Sequence, residues 1–345
     1  MKNKDNNIIK YIFNFGILFL VIGLVIYFSL KDNFELIIEN IKNFSPLYLF
    51  AALLLAAGYR IFLSYSMYFV AKANNQKYKL ISSIKLNCIT QFFNGVTPFA
   101  SGGQPSQIYY LHKENISYPV ATNIVLQNFI LYQTALILFG IFAIVQNKIF
   151  MLFPQDSVIA KLVIVGFLIN FLVWLASFIL SFGKKFSNFV LHKLLHFLAK
   201  IKIIKDEEKK REQLTEYINS FYRNALTLKN HKKEVILGIL ANILALTCYY
   251  VAPFIIIRGM DVSSNITILT TLVASAYVMI IGAFVPIPGG TGGLEYGYIY
   301  FFGFYVTGSV LPASMLLWRS ITYYLGMIVG GIMMMFYRKG DQTCE

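Results

Sequence analysis

Three formally charged residues fall deep within apolar stretches of the 345-residue sequence: Arg60, Glu295 and Arg319. A charged side chain at the middle of a bilayer costs about 2.5–3.5 kcal/mol on insertion scales, so each is expected to face other protein or trapped water. One carboxylate and two guanidiniums do not cancel. If Glu295 pairs with one arginine, a positive charge is left to receive an anion such as a lipid phosphate. An ion pair that serves only as scaffolding is the alternative that the residues leave open.

Two glycine- and proline-rich interruptions accompany these charges. The first carries Asn94, Gly95, Pro98, Gly102, Gly103, Gln104, Pro105 and Gln107 before Tyr109 and Tyr110. The second carries Pro286, Pro288, Gly289, Gly290, Gly292 and Gly293 before Glu295, Tyr298 and Tyr300. Each runs from proline through paired glycines to a polar residue and then tyrosines. Glycine and proline unwind a helix and release backbone N–H and C=O groups. Lipid cannot satisfy those groups, so such breaks must face protein or a wet cavity. Paired breaks in two halves of opposite orientation point to a transport site near the midplane. Two unrelated helix ends with coincident glycines would look the same in sequence. The candidate substrate-handling residues are therefore Arg60, Gly102, Gly103, Gln104, Gln107, Pro288, Gly289, Gly290, Glu295 and Arg319. Gln127 and Gln133 rank lower, because isolated glutamines in apolar helices often act as packing glue.

Other chemistries find little support. Cys88, Cys248 and Cys344 form no CxxC and no metal spacing. His192 and His196 stand at i, i+4, but no Glu follows His192 as a zinc-protease helix requires, and no third ligand is evident. No GxxxxGK[ST] phosphate loop occurs. No catalytic residue, metal or cofactor is expected, and any movement of substrate would be facilitated or coupled to an ion gradient through Glu295.

The elements that must position these residues are membrane helices. Hydrophobic residues make up 57% and charged residues 13% of the chain, with a mean hydropathy of +0.62. An ordinary soluble domain carries about 25% charged residues. Too little polar material is present to cover a surface, so lipid must cover it. A spanning helix needs about 20 mostly apolar residues. Runs at 11–30, 47–70, 119–145, 158–182, 235–257, 266–285 and 311–337 meet that length, while 80–110 and 286–306 are apolar but broken. The expectation is an all-α, polytopic transmembrane bundle. It has about 7–8 spans plus re-entrant or discontinuous segments, arranged as an inverted repeat within one integral membrane domain, 1–345. The first run reads as a retained signal anchor, since Lys31, Asp32 and Asn33 follow it rather than a small-x-small cleavage site.

Charge sets the orientation. Most of the 30 lysines and arginines gather in the N-terminus, the segment from Lys72 to Lys85, the connector 183–234 and the tail. With those segments cytoplasmic, both termini are cytoplasmic. Lys31, Lys42, Lys148, Lys161 and Arg258 fall on the other side, matched by Asp32, Glu35, Glu39, Asp156 and Asp261. The net charge of +14 then needs no nucleic acid as partner. Within 183–234, Phe186, Phe189, Val190, Phe197, Leu198 and Ile201 recur at helical spacing opposite Lys185, Lys193 and Lys200. That segment either lies flat among anionic headgroups or is an ordinary connector.

Three motifs resemble one family. They are the segment from Thr97 through Gly102, Gly103 and Gln104 to Pro105, the segment from Pro286 to Glu295, and the run Trp318, Arg319, Thr322, Tyr323 and Tyr324. In this order they are similar to the lysylphosphatidylglycerol synthase transmembrane family, the flippase-like membrane region of the multiple peptide resistance factor. The third motif adds Tyr323 to the candidate site. The resemblance implies a bacterial cytoplasmic membrane protein that moves aminoacylated phosphatidylglycerol to the outer leaflet and so resists cationic peptides. Its partners would be membrane phospholipid and a separate lipid-modifying enzyme, with no nucleic acid contacted directly. Full-length members also carry a soluble C-terminal synthase domain that lysylates the lipid from lysyl-tRNA. The sequence reaches only Glu345, so that lysyltransferase activity is expected to reside elsewhere. A lysyltransferase and a non-transporting scaffold stay as the alternatives.

Overall fold

The computed structural model describes residues 34–97, 100–155, 157–182, 230–282 and 292–337, together with Lys193, Tyr222 and Gly290. The first apolar run, nearly all of the connector with His192 and His196, and Pro288 and Gly289 lie outside the described residues.

Helices account for the described chain, and no strand occurs among these residues. A short helix α1 (Phe34–Lys42) precedes α2 (Pro46–Ala73), α3 (Leu80–Val96), α4 (Gly103–Lys113), α5 (Tyr118–Phe150) and α6 (Val158–Phe182). After the connector come α7 (Lys232–Met260), α8 (Ile268–Gly282), α9 (Gly293–Phe302), α10 (Val310–Arg319), a π-helical turn (Ser320–Tyr324) and α11 (Leu325–Met335). Proline opens α2 and α5 in the first turn, where its missing N–H removes no helical bond. Asn75 and Met151, both at positive φ, turn the chain just past the ends of α2 and α5.

Five described segments are long and apolar enough to cross a membrane: Pro46–Ala73, Tyr118–Phe150, Val158–Ile179, Lys232–Met260 and Val310–Met335. On α6, Leu162, Leu168 and Leu172 are exposed to what must be acyl chains. Inside, amides join the spans. Asn242 of α7 donates to Ser66 Oγ of α2 at 2.8 Å, and Ser66 Oγ donates to Asn128 Oδ1 of α5 at 2.8 Å. Asn74, Asn123 and Gln127 close a buried ring of amide hydrogen bonds between α2 and α5, 2.7–3.0 Å long. Gln127 is thus the packing glue its sequence context suggests.

Two helical hairpins fill the space between the spans. The first is α3–α4. It leaves and returns to one end of the bundle, where Tyr337 donates to Glu114 Oε1 at 2.6 Å and Tyr110 meets the Tyr337 ring at 4.7 Å. Lys72, Lys77 and Lys79 lie in the loop and last helical turn beside α3, so this is the basic end. Its outgoing arm packs so closely on α11 that a Cβ on Gly330 would strike the Cys88 carbonyl oxygen.

The second hairpin, α8–α9, starts from the opposite end. Gly282 abuts Leu294, a Gly297 Cβ would sit 3.4 Å from Val278 Cα, and Tyr277 meets Phe301 at 5.2 Å. The two arms are therefore antiparallel neighbours. Past α9, Tyr305 donates to the Leu152 carbonyl at 2.9 Å in the α5–α6 turn. The apolar run 266–285 accordingly does not cross, as its length suggested. It goes in as α8, ends at Gly282 and comes back as α9. Hydropathy counts apolar residues but cannot tell a spanning helix from one covered on all sides by protein. Here Thr271, Val273 and Ala274 are almost wholly buried. Two hairpins entering from opposite ends give the inverted arrangement that the paired breaks suggested.

Candidate functional site

The hairpin tips are built for close approach. Thr97 Oγ1 donates to the Phe93 carbonyl at 2.7 Å and accepts from Gly102 N at 2.8 Å, which folds the first tip over the end of α3. Gly103 lies against Asn94 with no room for a side chain. Ala100 sits at the tip with φ +52. In the second tip, Gly290 and Gly292 have φ of +65 and +90, a region L side chains rarely occupy.

Glu295 lies in the first turn of α9. Its Oε2 accepts from Gly292 N at 2.6 Å, and its Oε1 is 2.9 Å from Arg319 Nε. The carboxylate thus meets the positive end of its own helix and a guanidinium from the last span. Arg319 is 1% exposed, and its Cζ is 4.2 Å from the Tyr323 ring centre. Tyr323 in turn donates to the Gly95 carbonyl at 3.2 Å. One chain of contacts therefore runs from the second hairpin through Arg319 and Tyr323 to the first.

Arg60 approaches from α2. Its Nη1 donates to Gln91 Oε1 at 2.9 Å and its Nη2 to the Thr322 carbonyl at 3.0 Å. The π-helical turn places that carbonyl toward Arg60; such wide turns often mark functional positions. Gly326, one turn on, leaves the space that the guanidinium fills. Both oxygens that Arg60 meets are neutral, and no carboxylate among the described residues pairs with it. The cluster holds two guanidiniums and one carboxylate, so it stays positive.

A cavity of about 360 Å³ lies between the tips, reached by Arg60, Arg319, Tyr323, Asn94 and Ala100 on one side and Gly282 and Gly290 on the other. A second, of about 340 Å³, shares Tyr59, Arg60, Gln91, Asn94, Ala100 and Tyr132 with it. This second lobe runs along α4 past Gly103, Gln104 and Gln107 toward the basic end. Arg60 stands where the lobes meet. The amides of Asn87, Asn128 and Asn242 give the second lobe a polar wall, while the first is mostly apolar and aromatic.

The structure therefore brings Arg60, Gly103, Gln104, Gln107, Gly290, Arg319 and Tyr323 to one two-lobed cleft. Gly102 shapes the first tip without lining the cleft, and Glu295 stands behind Arg319. Sequence reading passed over Asn87, Gln91, Tyr59 and Tyr132, which line the cleft. Asn87, Gln91 and Asn94 recur at intervals of four and three on an otherwise apolar helix, the spacing of a single face. That periodicity was the available signal. Among the described residues no cluster of His, Cys, Asp and Glu is placed to hold a metal ion.

Five long apolar helices with two opposed helical hairpins around a buried, positively charged cleft define a polytopic membrane protein. The family described as the lysylphosphatidylglycerol synthase TM region matches residues 14–330. The chain belongs to that family, as its three motifs suggested. No curated protein that was compared matches it.

Proposed function

We propose that the protein is a flippase-like lipid translocase. The observation that carries this reading is the convergence of two hairpins from opposite ends on one cleft with a surplus positive charge at Arg60. A lipid crossing the bilayer must move its polar headgroup through hydrocarbon while its acyl chains stay in lipid. The cleft supplies the headgroup with amides, tyrosine hydroxyls and a guanidinium, which replace its water. Arg60 can take a phosphate in the forked geometry that suits two oxygens. Its present partners are neutral, so little must be broken to free it.

The substrate follows from the charge and the family. An anionic phosphodiester suits Arg60, and the family's description points to phosphatidylglycerol or its aminoacylated form. We take the basic end to be cytoplasmic, on the bacterial cell membrane, because Lys72, Lys77, Lys79 and Lys85 gather there. Movement runs from the amide-lined lobe past Arg60 into the lobe between the tips. A separate enzyme would supply the aminoacylated lipid, and outward transfer would lower the surface negative charge that attracts cationic peptides.

The family's description also contains a synthase, so lysyl transfer is the second reading. One preparation tests both. The purified chain in vesicles should expose fluorescent phosphatidylglycerol of the inner leaflet to an external quencher faster than protein-free vesicles do. Lysine from lysyl-tRNA should not be incorporated into lipid. No acceleration would overturn the translocase; incorporation by the chain alone would establish the transferase.

A further inference from the structure

A third cavity, of about 190 Å³, lies away from the cleft at the end opposite the basic one. Its floor is formed by the α5–α6 turn and the back of the second hairpin, with Phe153, Tyr277 and Phe301 in contact at 5.2–6.0 Å. Ile144, Val163 and Ile164 add aliphatic wall. Ile164 is 45% exposed and stands on the lipid-facing side of α6, so the cavity opens sideways toward acyl chains. The rim is different. Lys148 in the last turn of α5 and Lys161 in the first turns of α6 flank it, with Asn147 and Gln155 between them. No ion pair holds either lysine among the described residues. The N-terminus of α6 adds its partial positive charge on the same side.

The turn that carries this rim is stapled in place. Asn147 Oδ1 accepts from Phe153 N at 2.7 Å, and Tyr277 donates to the Ala143 carbonyl at 3.3 Å. The Tyr305 hydroxyl ties the Leu152 carbonyl to the chain leaving α9. A molecule seated here would therefore press on elements continuous with the second hairpin. The chemistry of such a molecule is set by the two halves of the site. An apolar pocket open to lipid and two cations at the depth of the headgroups fit one amphiphile with an anionic head.

We propose that this cavity is a binding site for an intact anionic phospholipid, with a phosphate between Lys148 and Lys161 and glycerol and upper acyl carbons against Phe153, Tyr277 and Phe301. It is separate from the translocation cleft and does not depend on what that cleft carries. Asp156, between the two lysines in sequence, lies outside the described residues.

The test uses the purified full chain in detergent, titrated with phosphatidylglycerol, phosphatidylcholine or soluble glycerophosphate while lipid adducts are counted by native mass spectrometry. At about 1 kcal/mol per lysine near anionic headgroups, K148E/K161E should bind phosphatidylglycerol at this site about 30-fold more weakly or worse. K148R/K161R should bind as the unaltered chain does. R60Q, in the cleft, should leave this adduct in place. Loss in the glutamate variant with rescue by arginine supports the site. Equal phosphatidylglycerol binding by the glutamate variant and the unaltered chain would overturn it. Equal binding of glycerophosphate or phosphatidylcholine would overturn the amphiphile or the charge part of the assignment respectively. Both lysines are exposed, so folding is not at stake.

Discussion

Replacing Glu295 by glutamine tests the internal logic of the cleft. Glutamine keeps the shape and can still accept from Gly292 N, so the cap at 2.6 Å survives while the charge goes. Arg319 then holds a guanidinium at 1% exposure without the carboxylate that now sits 2.9 Å away. Stranding a buried charge typically costs about 3–5 kcal/mol. Two features soften that here. The Tyr323 face at 4.2 Å from Arg319 Cζ returns up to about 2 kcal/mol of cation–π attraction. The Glu295 side chain is also 12% exposed, so the pair was never fully desolvated. The expected destabilisation is about 2–3 kcal/mol. Arg319→Gln should cost less in charge terms, because Glu295 retains the Gly292 N–H and the helix N-terminus. The double variant removes both charges and should be more stable than the sum of the singles implies, by about 1 kcal/mol or more. Reversible unfolding in mixed detergent micelles measures all four proteins. A coupling below about 0.5 kcal/mol, the usual scatter of additivity, would refute the claim that the pair is energetically joined.

Four further outcomes follow from the packing. Gly330→Ala should destabilise by about 1–3 kcal/mol, because its Cβ would meet the Cys88 carbonyl, which is backbone and cannot swing away; the same micelle titration reads it. Gly290→Ala should cost about 1–2 kcal/mol from its φ of +65 alone, and Gly308→Ala, also at +65 but in open space, should lose only that strain; a much larger loss at Gly290 would report its 3.3 Å approach to the Gly282 carbonyl. Asn123→Ala should cost about 1–3 kcal/mol, since Asn74 and Gln127 each lose a buried partner. Burial, then the hydrogen bond to Glu114, pushes the Tyr337 hydroxyl well above its usual range, so the folded state holds that proton more tightly than the unfolded chain. The contribution is complete below about pH 10 and is lost as pH rises beyond it, and a pH series comparing the chain with Tyr337→Phe should show the difference only on that alkaline limb.

Much of the arrangement was legible in the residues because bilayers impose strong rules. Lys72 to Lys85 marked one end by charge, and the glycine–proline breaks marked both hairpin tips by their backbone demands. The misreading of 266–285 as a crossing helix has a plain cause: a re-entrant arm buried among spans is as apolar as a lipid-facing one. Arg60, Glu295 and Arg319 stood out because their charges are rare in such surroundings. Their partnership did not, because the sequence gives no hint that Arg319 rather than Arg60 reaches α9. A π-helical turn at Ser320–Tyr324 carries the Thr322 carbonyl that Arg60 meets instead. No local propensity signals such a turn. Asn87, Gln91 and Asn94 were visible as a periodic amide face, but periodicity alone says only that they share a side, not that the side borders a cavity.

The central claim is that Arg60 guides a lipid phosphate through the cleft, and leaflet exchange in vesicles tests it most directly. A charged hydrogen bond contributes about 1.5–3 kcal/mol, so R60Q should slow the exchange of labelled phosphatidylglycerol by roughly 10-fold or more. K85Q, outside the cleft on the basic end, should exchange at the unaltered rate. Equal rates for R60Q and the unaltered chain, with both folded to the same extent, would contradict the account.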